Sequence, residues 1–63
     1  MEQMVKIYTG KYQGNSAFNE VKKDSERLLK KKWYILQTES STVVDFKTEQ
    51  ATLQVMVVYR RKG

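Results

Sequence analysis

Apolar positions along this 63-residue chain form three strand-like segments and recur at helical spacing along a fourth. Met4-Val5-Lys6-Ile7-Tyr8 alternates and holds β-branched and aromatic residues, which predicts a short strand. In that strand Val5 and Ile7 are expected to face the core, with Met4, Lys6 and Tyr8 on the reverse side. Trp33 to Thr38 reads as a second strand, with Trp33 and Ile35 on one face and Tyr34 and Leu36 on the other. The third runs from about Thr52 to Arg60 and is apolar on both sides: Leu53, Val55, Val57 and Tyr59 share one face, Met56 and Val58 the other.

Residues 16 to 31 carry the helical pattern. Phe18, Val21, Ser25, Leu28 and Leu29, together with Ala17, form one apolar stripe. Glu20, Lys23, Asp24, Arg27, Lys30 and Lys31 are assigned to the opposite arc. Gly10 to Asn15 is a turn-rich connection, and Asn15 or Ser16 is the candidate cap. Residues 39 to 51 are mostly polar, and a structureless connection of that length is uncommon in a small domain. The last two strands are therefore expected to continue into it as a hairpin, with Asp45 to Gln50 near the tip and residues 43–46 as candidate strand extension.

These elements predict an α+β fold of order β-α-β-β, a single domain over residues 1–63. One helix packs on one face of a three-stranded mixed sheet. The crossover through the helix makes the first two strands parallel, and the last two pair as an antiparallel hairpin. The final strand, longest and most apolar, belongs in the centre. Val5, Ile7, Trp33, Ile35, Leu53, Val55 and Val57 are then expected to meet Phe18, Val21, Leu28 and Leu29. One helix covers one face, so the second needs an explanation. It is expected to carry Met4, Lys6, Tyr8, Tyr34, Leu36, Met56, Val58 and Arg60, an apolar patch of the kind that marks interaction sites.

Composition sharpens this. A chain this short buries only about 60% of its unfolded surface, and small domains gain stability from disulfides, metals or association. With no cysteine and no histidine, association is the route left open. A homodimer hiding the second face, or binding to another protein there, is the first reading; a monomer with a moderately apolar face is the plain alternative. The net charge of +5 permits nucleic acid as a different class of partner. Tyr8 and Tyr34 could stack bases, and Lys22, Lys23, Arg27, Lys30, Lys31 and Arg61 are the candidate phosphate contacts. A solvated helix end explains the same lysines.

Catalysis finds no support in the residues. The seven acids show no paired spacing in apolar context, and no base could activate Ser25. Gly10 and Gly14 do not match a phosphate loop. The expectation is a non-enzymatic binding or regulatory module without metal, cofactor or small-molecule substrate. No apolar run reaches the roughly 18 residues of a membrane helix, and Met1 to Lys6 does not read as a signal peptide. The cytoplasm is the expected compartment.

Tyr8-x-Gly10, Phe18, Asp24, the pair Trp33-Tyr34, Thr52-Leu53-x-Val55 and Tyr59 together resemble a small uncharacterised domain of bacterial membrane proteins, often found ahead of a zinc ribbon. In that family a transmembrane segment separates the last two strands. Ser41 to Gln50 takes its place here and is polar and short. The glycine that precedes the aromatic pair in the family is Lys32 in this chain, and no zinc ribbon is present. The resemblance covers most of the chain, implies the β-α-β-β order and implies no activity.

Overall fold

The computed structural model describes residues 2–62. Four elements follow in order: β1 (Glu2–Lys11), α1 (Ser16–Leu29), β2 (Trp33–Asp45) and β3 (Gln50–Arg61). The fold is of the α+β class, with α1 lying on one face of an open three-stranded sheet of order β1-β3-β2. β1 and β2 run parallel to each other but never touch. β3 lies between them and pairs antiparallel with both, so the sheet is antiparallel throughout rather than mixed.

The hairpin continues through the polar stretch. β2 extends to Asp45, taking in residues 43–45, while Phe46 falls in the turn at 46–49. Asp45 holds that turn by accepting a hydrogen bond from the Lys47 backbone N–H at 2.9 Å, a local side-chain bond that aspartate favours in turns. Polar residues in a strand impose no penalty here, because Gln37 to Asp45 are exposed on both faces and satisfy their backbone groups in the ladder with β3.

β3 supplies the core. Leu53, Val55, Val57 and Tyr59 are buried in alternation, and with Tyr8 and Ala17 they form the buried cluster. Met4, Val21, Leu28 and Trp33 pack against it. The central strand is apolar on its helix side because that side is the only one α1 can dry.

Two features of α1 depart from expectation. Its stripe is rotated: Ala17 is fully buried and Val21, Asp24, Ser25 and Leu28 are half-buried, while Phe18 and Leu29 lie about half exposed. The end of the helix is also built differently. Asn15 is the N-cap residue, but neither its side chain nor that of Ser16 makes a capping bond. The entry turns instead through left-handed backbone at Gly14 (φ 99°) and Asn15 (φ 55°), and the Asn15 carbonyl accepts from Asn19 N–H at 3.0 Å. Glycine and asparagine are the residues that tolerate this conformation.

The first turn of α1 lies directly on β1 at Gly10. A side-chain carbon at that position would collide with the Ser16 hydroxyl and come within 3.0 Å of the Ala17 backbone nitrogen. Gly10→Ala is therefore expected to lower the unfolding free energy by about 1–3 kcal/mol, the usual range for overpacking. Urea denaturation measures it, and an unchanged midpoint would show that the helix start does not rest on this strand. After α1, Lys32 adopts φ 69°, a conformation that is strained for any residue with a side chain. Lys32→Gly is expected to raise stability by about 1 kcal/mol by relieving it, detected as a higher urea midpoint.

Candidate functional site

The face of the sheet left open depends on one polar group beneath the helix. Asp24 was assigned by its charge to the outer arc of α1, yet it lies one helical turn from Val21 and Leu28 and faces the sheet, its side chain only 14% exposed. Its Oδ2 accepts from Lys6 Nζ at 2.7 Å and from the Tyr8 hydroxyl at 2.8 Å. Its Oδ1 accepts from Arg27, one turn along the helix. The Tyr8 hydroxyl, having given its proton to Asp24, accepts in turn from the Tyr59 hydroxyl at 2.9 Å. A half-buried carboxylate is tolerated only when its oxygens are bonded in this way.

The network sets the parity of β1. Met4, Lys6 and Tyr8 pair with Tyr59, Val57 and Val55, the buried residues of β3, and so point toward the helix. Val5 and Ile7 pair with Val58 and Met56 and point away from it. The expected orientation of β1 is thus reversed. Hydrophobicity ranks Val5 and Ile7 as core, but placing them inward would take the Lys6 and Tyr8 donors away from Asp24. Because side chains alternate, correcting one residue turns all of them over. The sequence signal was available: an aspartate between Val21 and Leu28 on the helix face calls for a lysine and a hydroxyl of one parity opposite it.

The network's electrostatics follow from its bonds. Hydrogen bonds from Lys6 and then Tyr8 hold the Asp24 carboxyl at about 2, below the ordinary 3.8. Burial, followed by the bonds to Tyr59 and Asp24, pushes the Tyr8 phenol well above its usual range, so it remains a donor. A carboxyl depressed in the folded state stabilises that state fully above its unfolded pKa and loses the contribution as pH falls through the folded one. Stability is therefore expected to drop between about pH 4 and pH 2. Asp24→Asn should cost about 1–2 kcal/mol at neutral pH and flatten that acid limb. Urea midpoints across the pH range check both, and an unchanged acid limb in the variant would place the titration elsewhere.

With parity settled, the open face can be read from the register. Its centre is a block of four aliphatic side chains, Val5 and Ile7 on β1 beside Val58 and Met56 on β3. Val5 and Ile7 are 57% and 58% exposed. Tyr34 and Arg60 pair at one end of the block. Leu36 is the extra residue of a β-bulge between Ile35 and Gln37 and is half exposed beside Tyr34. The bulge shifts the alternation, so that Gln37, Glu39 and Ser41 follow Tyr34 onto the open face.

Of the residues expected on this face, the structure brings together Tyr34, Met56, Val58 and Arg60, with Leu36 at their border. Met4, Lys6 and Tyr8 are corrected to the helix side, and Val5 and Ile7 take their place. The expected pair of stacking tyrosines is broken up as well, since Tyr8 is buried and Tyr34 alone remains on the open face. Lys22, Lys23, Lys30 and Lys31 are exposed on or just after the helix, in the layer opposite the open face. Arg27 is engaged by Asp24, and Arg61 pairs with Glu2 at 3.0 Å while lying over the Trp33 ring. Ser25 donates to the Lys22 carbonyl of its own helix at 3.0 Å.

No helix among the described residues is long and apolar enough to cross a membrane. Comparison with protein families, with curated proteins and with solved structures returns no match. The open face is an apolar block on an antiparallel sheet with a helix behind it.

Proposed function

We propose that this chain is a non-enzymatic binding module that works as a homodimer, two copies packing their open sheet faces together. The observation that carries the reading is the block of Val5, Ile7, Met56 and Val58, left uncovered by the single helix. Contiguous apolar surface of this kind is uncommon on a monomer unless it meets a partner.

Size favours a second copy as that partner. Among the described residues the core is small, with six buried apolar side chains, and a facing copy would add the four aliphatic side chains to it. Charge is compatible with two-fold symmetry. Arg60 lies beyond one end of the block, and Glu39 flanks its other end beside Met56. A two-fold axis running across the strands through the block turns the copy end for end. It moves each Arg60 toward the Glu39 end of its partner, which favours this registration over a parallel one.

Sedimentation equilibrium tests the proposal. The parent chain is expected at twice the chain mass in the micromolar range. Ile7→Lys is expected to be monomeric without loss of secondary structure, since Ile7 makes no part of the core. A parent chain that sediments as a monomer at all concentrations, or an Ile7→Lys variant that remains dimeric, would overturn the reading. Circular dichroism on the same samples separates dissociation from unfolding.

A further inference from the structure

The register also joins two basic runs that are far apart in sequence. Trp33 pairs with Arg61 and Tyr34 with Arg60. This brings Lys30-Lys31-Lys32, at the exit of α1, to the same end of the molecule as Arg60-Arg61-Lys62. The acids nearby are Glu2, paired with Arg61, and Glu26 on the last full turn of α1. Most of the net charge of +5 is therefore held at one pole, which adjoins the aliphatic block at its Tyr34–Arg60 end.

The same pole is unusually apolar. Leu29, Tyr34, Ile35 and Leu36 are each about half exposed there, and Trp33 is half-buried at the edge of the core. Two shallow recesses flank the start of β2. One of about 390 Å³ is bordered by Tyr34, Ile35 and Leu36 with Arg60 and Lys62 at its rim. The other, of about 260 Å³, lies toward the helix and is lined by Leu29, Trp33, Tyr34 and Ile35 together with Ser25 and Glu26. Neither the helix nor the sheet covers these side chains.

We propose that this pole is a docking surface for an anionic lipid bilayer. Leu29, Ile35 and Leu36 enter the boundary between headgroups and acyl chains, Trp33 and Tyr34 sit at headgroup level, and the two basic runs lie against the lipid phosphates. The combination of basic residues, interfacial aromatics and exposed aliphatics is what peripheral attachment to such a surface requires. A nucleic acid would use the cations but leave the three aliphatic side chains without a role. For stacking the pole offers Tyr34 alone, because the Trp33 ring packs against the core and is covered by the Arg61 guanidinium at 5.6 Å.

Trp33 is the only tryptophan of the chain, so its fluorescence reports the contact directly. The full chain is mixed with vesicles of phosphatidylcholine containing about one third phosphatidylglycerol, and separately with pure phosphatidylcholine vesicles and a single-stranded oligonucleotide. Binding to the charged vesicles is expected, with a blue shift of Trp33 emission, and at least tenfold weaker binding to the neutral ones. Lys31→Gln combined with Lys62→Gln should weaken charged-vesicle binding about tenfold or more. Leu36→Ser should weaken it at unchanged charge. Urea denaturation confirms that both variants fold.

Equal binding to charged and neutral vesicles, or no binding to either, overturns the proposal. So does a Leu36→Ser variant that binds charged vesicles as tightly as the parent. An oligonucleotide that binds more tightly than the charged vesicles would assign the pole to nucleic acid instead. Ile7→Lys is expected to keep the preference for charged vesicles, so the outcome here is distinguishable from that for self-association.

Discussion

A single carboxylate under the helix orients this fold. Asp24 projects from α1 toward β1, where Lys6 and Tyr8 meet one of its oxygens and Tyr59 extends the chain of hydroxyls from β3. Three of the four elements are joined by this network. With β1 turned over, Asp24 would keep Arg27 but lose its two bonds from Lys6 and Tyr8, each worth about 1.5–3 kcal/mol to a charged group, whereas turning two aliphatic side chains to the surface costs about 1.5–3 kcal/mol each at most. Val5 and Ile7 are only about half exposed, which reduces that cost further. The polar network and the apolar pattern of β1 thus compete for the inward side, and the network prevails.

The surface follows from that choice. Once Lys6 and Tyr8 point inward, the aliphatic residues of β1 stand beside Met56 and Val58 of the central strand on the uncovered side. The apolar character of β3 on both faces then has two separate sources. One side is core, dried by Ala17, Val21 and Leu28. The other belongs to a patch that β1 completes. The close approach at Gly10 serves the same arrangement, because it brings the start of α1 down onto β1 and places Asp24, two turns later, over Lys6 and Tyr8.

Much of the architecture was legible from pattern. The helix, the β-α-β-β order, the central position of the last strand and the inward set Leu53, Val55, Val57 and Tyr59 all follow from periodicity and length. The polar stretch 39–51 was recognisable as hairpin because a loop of that length is rare. What failed was the parity of β1 and the rotation of α1. Met4 to Tyr8 is apolar or amphipathic at every position, so its alternation does not choose a side. Asp24, counted as an outer charge, was the residue that chooses. The bulge at Leu36 left no mark in the local pattern, since both registers put one apolar side chain of β2 at the border of the sheet.

By itself, the sequence determined the elements and the inward face of the central strand, because strand and helix periods are local properties of neighbouring residues. It also determined the means available for stabilising so short a chain, since without cysteine or histidine neither disulfides nor histidine-based metal sites can form. Only the tertiary structure decided which side of β1 is buried, and hence which side chains form the open face. The same is true of the basic pole, where runs thirty residues apart meet through the pairing of Trp33 with Arg61. Both depend on contacts between distant segments, and a polar partner buried across such a contact outweighs the hydropathy of the residues beside it.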